Sequence, residues 1–214
     1  MRLSPALALA ALLGLAPAAS AQDRPGHFSF YVLALSWSPT WCQSADGADG
    51  PRQCEPGAGH GFIVHGLWPQ HERGYPEFCG GERPERVPSE IAEGMEDIMP
   101  ERRLVFHAWR KHGTCTGLSP VEYLDQTRAA YDRVAIPDSF RSARQDRTVS
   151  AQAAEAAFAA ANPELDPDEM AVSCHGGALE EIRICLTRDL EFRTCPEVDR
   201  NGCRQQNLRL PAPT

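Results

Sequence analysis

The chain has 214 residues, 42% of them hydrophobic and 23% charged, with a formal net charge of −8 at neutral pH. That length suits one domain with a core of its own, and no internal repeat or long low-complexity linker divides it. The charge excludes a surface that attracts polyanions everywhere, so a nucleic-acid partner would need a local positive patch.

The first 21 residues, MRLSPALALAALLGLAPAASA, combine a basic start at Arg2, an apolar run from Leu7 to Leu15 and a small-x-small signal ending at Ala21. This is the pattern of a signal peptide cleaved after Ala21, which leaves residues 22–214 as the working domain. The run is too short to span a bilayer and no later stretch is long enough, so no membrane partner is expected. Export without a lipid-attachment cysteine, in an Arg-rich and Lys-poor chain, fits a periplasmic or secreted protein.

HFSFYVLALSW, residues 27–37, is apolar on both alternating faces and predicts a buried central strand. The Gly-, Asp- and Pro-rich stretch 43–59 reads as a loop between Cys42 and Cys54. GFIVHGLWPQ, 61–70, is a second strand ended by Pro69. If alternation holds, His65, Leu67 and Pro69 share one face, with Gly66 and Trp68 on the other unless the strand bulges. Residues 86–99 predict a helix stopped by Pro100, and 101–112 another with Gly113 as its C-terminal cap. Ser119-Pro120-Val121-Glu122 is a capping box that opens a helix to about Val134. A further helix covers 150–162, and strands are expected at 170–174, 179–188 and 190–195. Strands, then helices, then strands indicate a single α+β domain with a largely antiparallel sheet packed with helices.

All eight cysteines, at 42, 54, 79, 115, 174, 185, 195 and 203, lie in the exported part. An even count in an oxidising compartment argues for four disulfides, while sequence alone leaves the pairing open. A zinc site would bring closely spaced ligand pairs such as C-x2-C, and none is present, so no metal is expected.

Lys111 is the only lysine among 21 basic residues, which points to a place that needs a compact ammonium on a flexible stem. It stands in HAWRKHGTC, one helical turn after His107 and next to His112. Ordinary helix capping would explain histidines there, since the macrodipole favours cations in a last turn. His65, within an otherwise apolar strand, is harder to explain without a partner or a task. Two histidine sites, one lysine and a nearby Trp68 suit cleavage of a phosphodiester by an internal nucleophile. One histidine takes the proton of a ribose 2′-hydroxyl, the other protonates the leaving 5′-oxygen, and lysine neutralises the phosphorane. DNA lacks that hydroxyl, so RNA selectivity follows from the chemistry.

FYVLALSWSPTWC, GFIVHGLWPQ and HAWRKHGTC together resemble the strand and two active-site motifs of the ribonuclease T2 family of secreted acid ribonucleases. AAFAAANPEL, AVSC and LEEIRICLT resemble that family's following helix and strands, so the likeness extends over most of the exported chain. The resemblance implies an α+β fold, no cofactor, RNA as partner, a monomer, and cleavage through 2′,3′-cyclic phosphates. It assigns His65 and His112 as the acid–base pair and gives Lys111 transition-state stabilisation; we read His112 as the base and His65 as the acid in the transfer step, and either assignment preserves the pair. It further implies that His107 binds phosphate, that Trp68 helps hold a base, and that Gln70 permits several bases. It pairs Cys42 with Cys54, Cys79 with Cys115, Cys174 with Cys203, and Cys185 with Cys195.

The family usually carries glutamate where this chain has Ala108. A carboxylate there could orient or charge-tune His112, so its absence predicts a slower enzyme, which a glutamate at 108 should speed up. Two other readings remain open at this level. One is an RNA-binding or inhibitory protein that has lost turnover; the other is a disulfide-stapled interaction protein with incidental histidines.

Overall fold

The computed structural model describes residues 24–44, 50–82 and 84–213. The signal-peptide segment, with Gln22 and Asp23, lies outside the described residues, as does part of the Gly/Asp-rich loop.

The sheet is built on Phe30–Trp37 (β1), which pairs antiparallel with Phe62–Gln70 (β2) on one side and with Ala178–Leu186 (β5) on the other. Met170–His175 (β4) forms a hairpin with β5. Arg147–Val149 (β3) and Leu208–Leu210 (β6) complete the far edge, where β5 and β6 meet in a short parallel contact. A largely antiparallel sheet in an α+β domain is thus what forms.

β1 is apolar on both faces because both faces are covered. Tyr31, Leu33, Leu35 and Trp37 enter the main core beneath the helices, while Phe30 and Val32 pack with the Cys185 and Cys195 sulfurs and Trp68 on the reverse side. Burying a Leu- or Phe-sized side chain contributes roughly 1.5–3 kcal/mol, so a doubly covered strand organises the domain.

Arg102–Lys111 (α3) buries Val105, Ala108 and Trp109 against this core. Pro120–Asp132 (α4) opens with the expected reciprocal Ser119–Glu122 box, and its Tyr123 hydroxyl donates to the Leu67 carbonyl of β2. Ala151–Ala161 (α6) begins at a Ser150 cap and packs beside β4. Four short helices, Ser38–Cys42 (α1), Ser89–Glu93 (α2), Asp138–Arg141 (α5) and Pro196–Arg200 (α7), fill the connections.

Two expected elements shrink. The helix expected over 86–99 is only α2, because Pro88 holds its own backbone extended and disfavours helical geometry at Val87. Beyond α2 the chain turns to drop Met95, Ile98 and Met99 into the core. The strand expected over 190–195 reduces to one bridge, Leu186 to Phe192, since Leu190 sits at φ +66° and Cys195 is tied back to Cys185.

All four disulfides form, and the pairs are Cys42–Cys54, Cys79–Cys115, Cys174–Cys203 and Cys185–Cys195. Among the described residues no helix is long and apolar enough to cross a membrane.

Candidate active site

The position of His65 comes from an irregularity in β2. Ala34 pairs with Gly66 and Leu35 with Val64, so His65 is an extra residue with no partner on β1. This bulge lets Val64 and Leu67, three apart, both enter the core. It also removes His65 from the face that strict alternation assigns it. His65 and Trp68 now meet on the cleft side, with ring centroids 5.3 Å apart and edge-on. Gly66 is required between them, since a Cβ there would lie 2.7 Å from the Trp68 indole nitrogen.

The other histidines arrive on α3. His107 is exposed, Lys111 follows one turn later, and His112 closes the helix by donating its backbone N–H to the Ala108 carbonyl. Gly113 does not take the left-handed capping conformation expected of it. The chain instead continues into a 3-10 turn over Gly113–Cys115, and glycine is needed because a Cβ would fall 2.3 Å from the Trp109 ring and 2.8 Å from that of Tyr123. The Cys79–Cys115 bond and the hydrogen bond from the Phe78 N–H to the Lys111 carbonyl fasten the 71–81 loop to this end of α3.

The fold brings His65, Trp68, Gln70, His107, Lys111 and His112 around one cleft of about 320 Å³. Its wall also carries Tyr75, 53% exposed, and Arg183. A second cleft of about 570 Å³ shares His65 and His107 and runs along Phe106, Arg103 and Arg110 toward Trp41. The His112 ring stacks on Trp68 at 5.2 Å, and the Arg183 guanidinium lies 5.4 Å over the same indole. Tyr75 therefore offers the more open aromatic surface in the smaller cleft.

The two catalytic candidates sit in unlike surroundings. His112 is buried, and burial together with the charges of Lys111, His65 and His107 lowers its pKa to about 3. His107 is lowered too, by partial burial and by Lys111. His65 is partly open, and its Nδ1 lies 2.5 Å from Oε1 of Glu181, whose side chain is 4% exposed. Burial alone would raise the Glu181 pKa, but hydrogen bonds and charges from His65 and Arg183 outweigh it and leave the carboxyl at about 2. Lys111 pairs at 3.5 Å with the half-exposed Glu77.

Ala108 is fully buried, and its Cβ packs 3.6 Å from where a side chain on Gly66 would begin. Beside it, Trp68 Nε1 and His112 Nδ1 are buried and make no hydrogen bond among the described residues. No group of three or more His, Cys, Asp or Glu among those residues could hold a metal ion.

Sequence reasoning missed Glu181, Arg183 and Tyr75. The first two stand in LEEIRICL on β5, where alternation sends Ile182 and Ile184 into the core and Glu181 and Arg183 to the cleft side. Charged residues two apart, Glu181 and Arg183, alternating with Ile182 and Ile184 were the available signal.

A family model described as "Ribonuclease T2 family" matches residues 28–195. A ribonuclease of Aeromonas hydrophila is 41% identical over 108 residues, which cover 50% of this chain and 46% of that protein. The chain thus spans about half the length of the Aeromonas protein. Ribonuclease DdI of Dictyostelium discoideum is 24% identical over 199 residues, 85% of this chain and 84% of its own. Among solved structures, trichomaglin, described as a novel S-like ribonuclease, superposes with a TM-score of 0.68 at 22% identity, over 86% of this chain and 98% of that one.

Proposed function

From the premise that this chain belongs to the ribonuclease T2 family, we infer that it is an endoribonuclease that cuts single-stranded RNA by internal transesterification. The observation that carries the reading is the contrast between two histidines on one cleft. Burial and cationic neighbours keep His112 neutral, the form a base needs, whereas His65 is more open and holds its Nδ1 against the Glu181 carboxylate, an arrangement suited to the acid.

In this scheme His112 takes the proton of the ribose 2′-hydroxyl, and the freed oxygen attacks phosphorus. The bond from phosphorus to O5′ breaks as His65 protonates that oxygen, leaving a 2′,3′-cyclic phosphate and a 5′-hydroxyl. Lys111 exchanges Glu77 for the phosphate and stabilises the charge that grows in the transition state, and His107 binds the same group. Hydrolysis of the cyclic product reverses the two histidine roles. Trp68, Gln70 and Tyr75 hold the base beside the scissile phosphate, with little base preference expected from a glutamine that both donates and accepts. No cofactor takes part, and the working unit is a monomer exported to the periplasm or medium, where four disulfides are stable.

Cleavage of a short RNA from pH 3 to 8 with EDTA present, with products identified by mass, tests the reading. Cyclic phosphate ends are expected, lost in His65→Ala and His112→Ala. A second reading rests on the unpartnered nitrogens beside Ala108: a protein that binds RNA but has lost turnover. Tight binding without cyclic product at any pH would select it over the first.

A further inference from the structure

Across the cleft face of the sheet, three strands set side chains in a row. The bulged His65 of β2 is followed by Ser36 of β1 and then by Glu181 of β5, which is directly opposite Ser36 in register. The Glu181 carboxylate is almost fully enclosed, and every contact it makes is with a donor. Oε1 receives the Ser36 hydroxyl at 3.1 Å and faces His65 Nδ1 at 2.5 Å. Oε2 receives Arg183 Nε at 2.9 Å and Nη2 at 2.8 Å. An ionised carboxylate only accepts, so His65 must present a proton on Nδ1.

We propose that Glu181 is the positioning residue for His65: locked by Ser36 and Arg183, it fixes the ring tautomer and leaves Nε2 as the nitrogen that serves the scissile bond. The proposal rests on the inferred ribonuclease reaction and assigns it a group outside the two motif segments. Ser36 and Arg183 hold the carboxylate from two directions, so it is preorganised rather than recruited by substrate. Arg183 also lies over the Trp68 ring, which ties the same network to the platform against which His112 stacks. A single carboxylate on β5 thus sets one histidine directly and borders the support of the other. The structural alternative, a buried ion pair that merely holds β5 to its own Arg183, predicts no effect on the chemistry of His65.

The pH dependence of His65 has to be read against all its charged neighbours. Among the described residues these are Glu181 and Arg183 from β5, Arg103, His107, Arg110, Lys111 and His112 from α3 and its end, and Glu101 and Glu197, which line the two clefts with His65. Of these acidic groups Glu181 is the one bonded to the His65 ring, so its neutralisation disfavours the imidazolium. Glu181→Gln should lower kcat by about 10²-fold, as removal of one preorganised group typically does, with KM nearly unchanged. It should also move the alkaline limb of the pH–rate profile to lower pH if His65 is the acid. Ser36→Ala keeps the carboxylate but strips one donor from Oε1, which concentrates charge toward His65 and should move the same limb slightly upward. Opposite displacements from two neighbours are outside the reach of a purely structural role.

The test measures pH–rate profiles of the wild type, Glu181→Gln, Ser36→Ala and His65→Ala, together with the ¹⁵N shifts of the histidine rings. Glu181→Gln with wild-type kcat, an unmoved limb and an unchanged Nδ1–H tautomer would overturn the proposal while the reaction stood. Wild-type protein that forms no cyclic phosphate, or His65→Ala at full rate, would overturn the reaction instead, and the ring tautomer would still decide the role of Glu181. Should Glu181→Gln not fold, the upward shift in Ser36→Ala carries the test, and its absence counts against the proposal.

Discussion

In the proposed reaction, Ala108 bears on the rate through a hydrogen bond that His112 lacks. Ala108 lies one turn before His112 on the same helical face, and both His112 Nδ1 and Trp68 Nε1 are buried there with no acceptor among the described residues. A buried nitrogen of this kind costs about 1–3 kcal/mol. A carboxylate grown from position 108 has two donors within its neighbourhood, so Ala108→Glu should be tolerated and should orient the base. It should raise kcat, by up to about 10²-fold, and move the acid limb of the profile upward because the new anion opposes the desolvation of His112. Steady-state kinetics from pH 3 to 8 check both; an unchanged kcat would remove Ala108 as the cause of any slowness. The histidines and Lys111 were legible in the sequence because their residue types are chemically unusual where they stand. Glu181 was not, because its partners Ser36 and His65 lie 145 and 116 residues away and only the register of β1 against β5 brings them together.

The bulge in β2 and the end of α3 are the two elements that set the distance between the proposed acid and base, and the Cys79–Cys115 bond links the loop after β2 to the end of α3. Cys79 follows the loop that leaves β2, and Cys115 closes the 3-10 turn after His112. Periodicity placed both elements correctly but could not resolve either ending. Alternation cannot say which residue of Val64-His65-Gly66 is the extra one, since that depends on which apolar pair the core accepts. Nor could the pattern tell whether Gly113 is glycine for its backbone freedom or for the ring faces of Trp109 and Tyr123 pressed upon it, and the second proved to be the reason. Replacing Cys79 and Cys115 with serine opens a loop of 36 residues, worth about 4 kcal/mol of chain entropy, and should lower Tm by about 10 °C. The same change should lower kcat at temperatures where the variant is still folded, because catalytic groups tolerate little displacement. The Cys42–Cys54 pair, remote from α3, is the control: its removal should cost stability with kcat kept. Equal losses of kcat from both would show that the bond between the motifs has no special place.

At the scale of the molecule, acid conditions should help the proposed chemistry and hurt the fold. A chain of net charge −8 meets a polyanion more easily once its carboxylates begin to protonate, and a base whose pKa lies near 3 still works there. The same two buried groups that shape the site oppose acidification. His112 falls from about 6.5 in the unfolded chain to about 3, and Glu181 from 4.5 to about 2, so each binds protons more readily unfolded than folded. The stability they contribute is full above the unfolded value and is lost as pH falls toward the folded one, first through His112 and then through Glu181. Glu155, raised by burial, acts in the opposite sense, but its carboxyl has a counterweight in Arg204 and the Val172 N–H. Tm should therefore drop steadily between pH 6.5 and 3, and His112→Asn should flatten the upper part of that slope although it abolishes cleavage. Disulfides do not titrate, so four of them hold the chain in the range where its site is most protonated and its core least secure. Calorimetry across that range, with and without reductant, checks the argument: a wild-type Tm that stays level to pH 3 would mean that the buried His112 is not held neutral, and with it would go the reason for choosing it as the base.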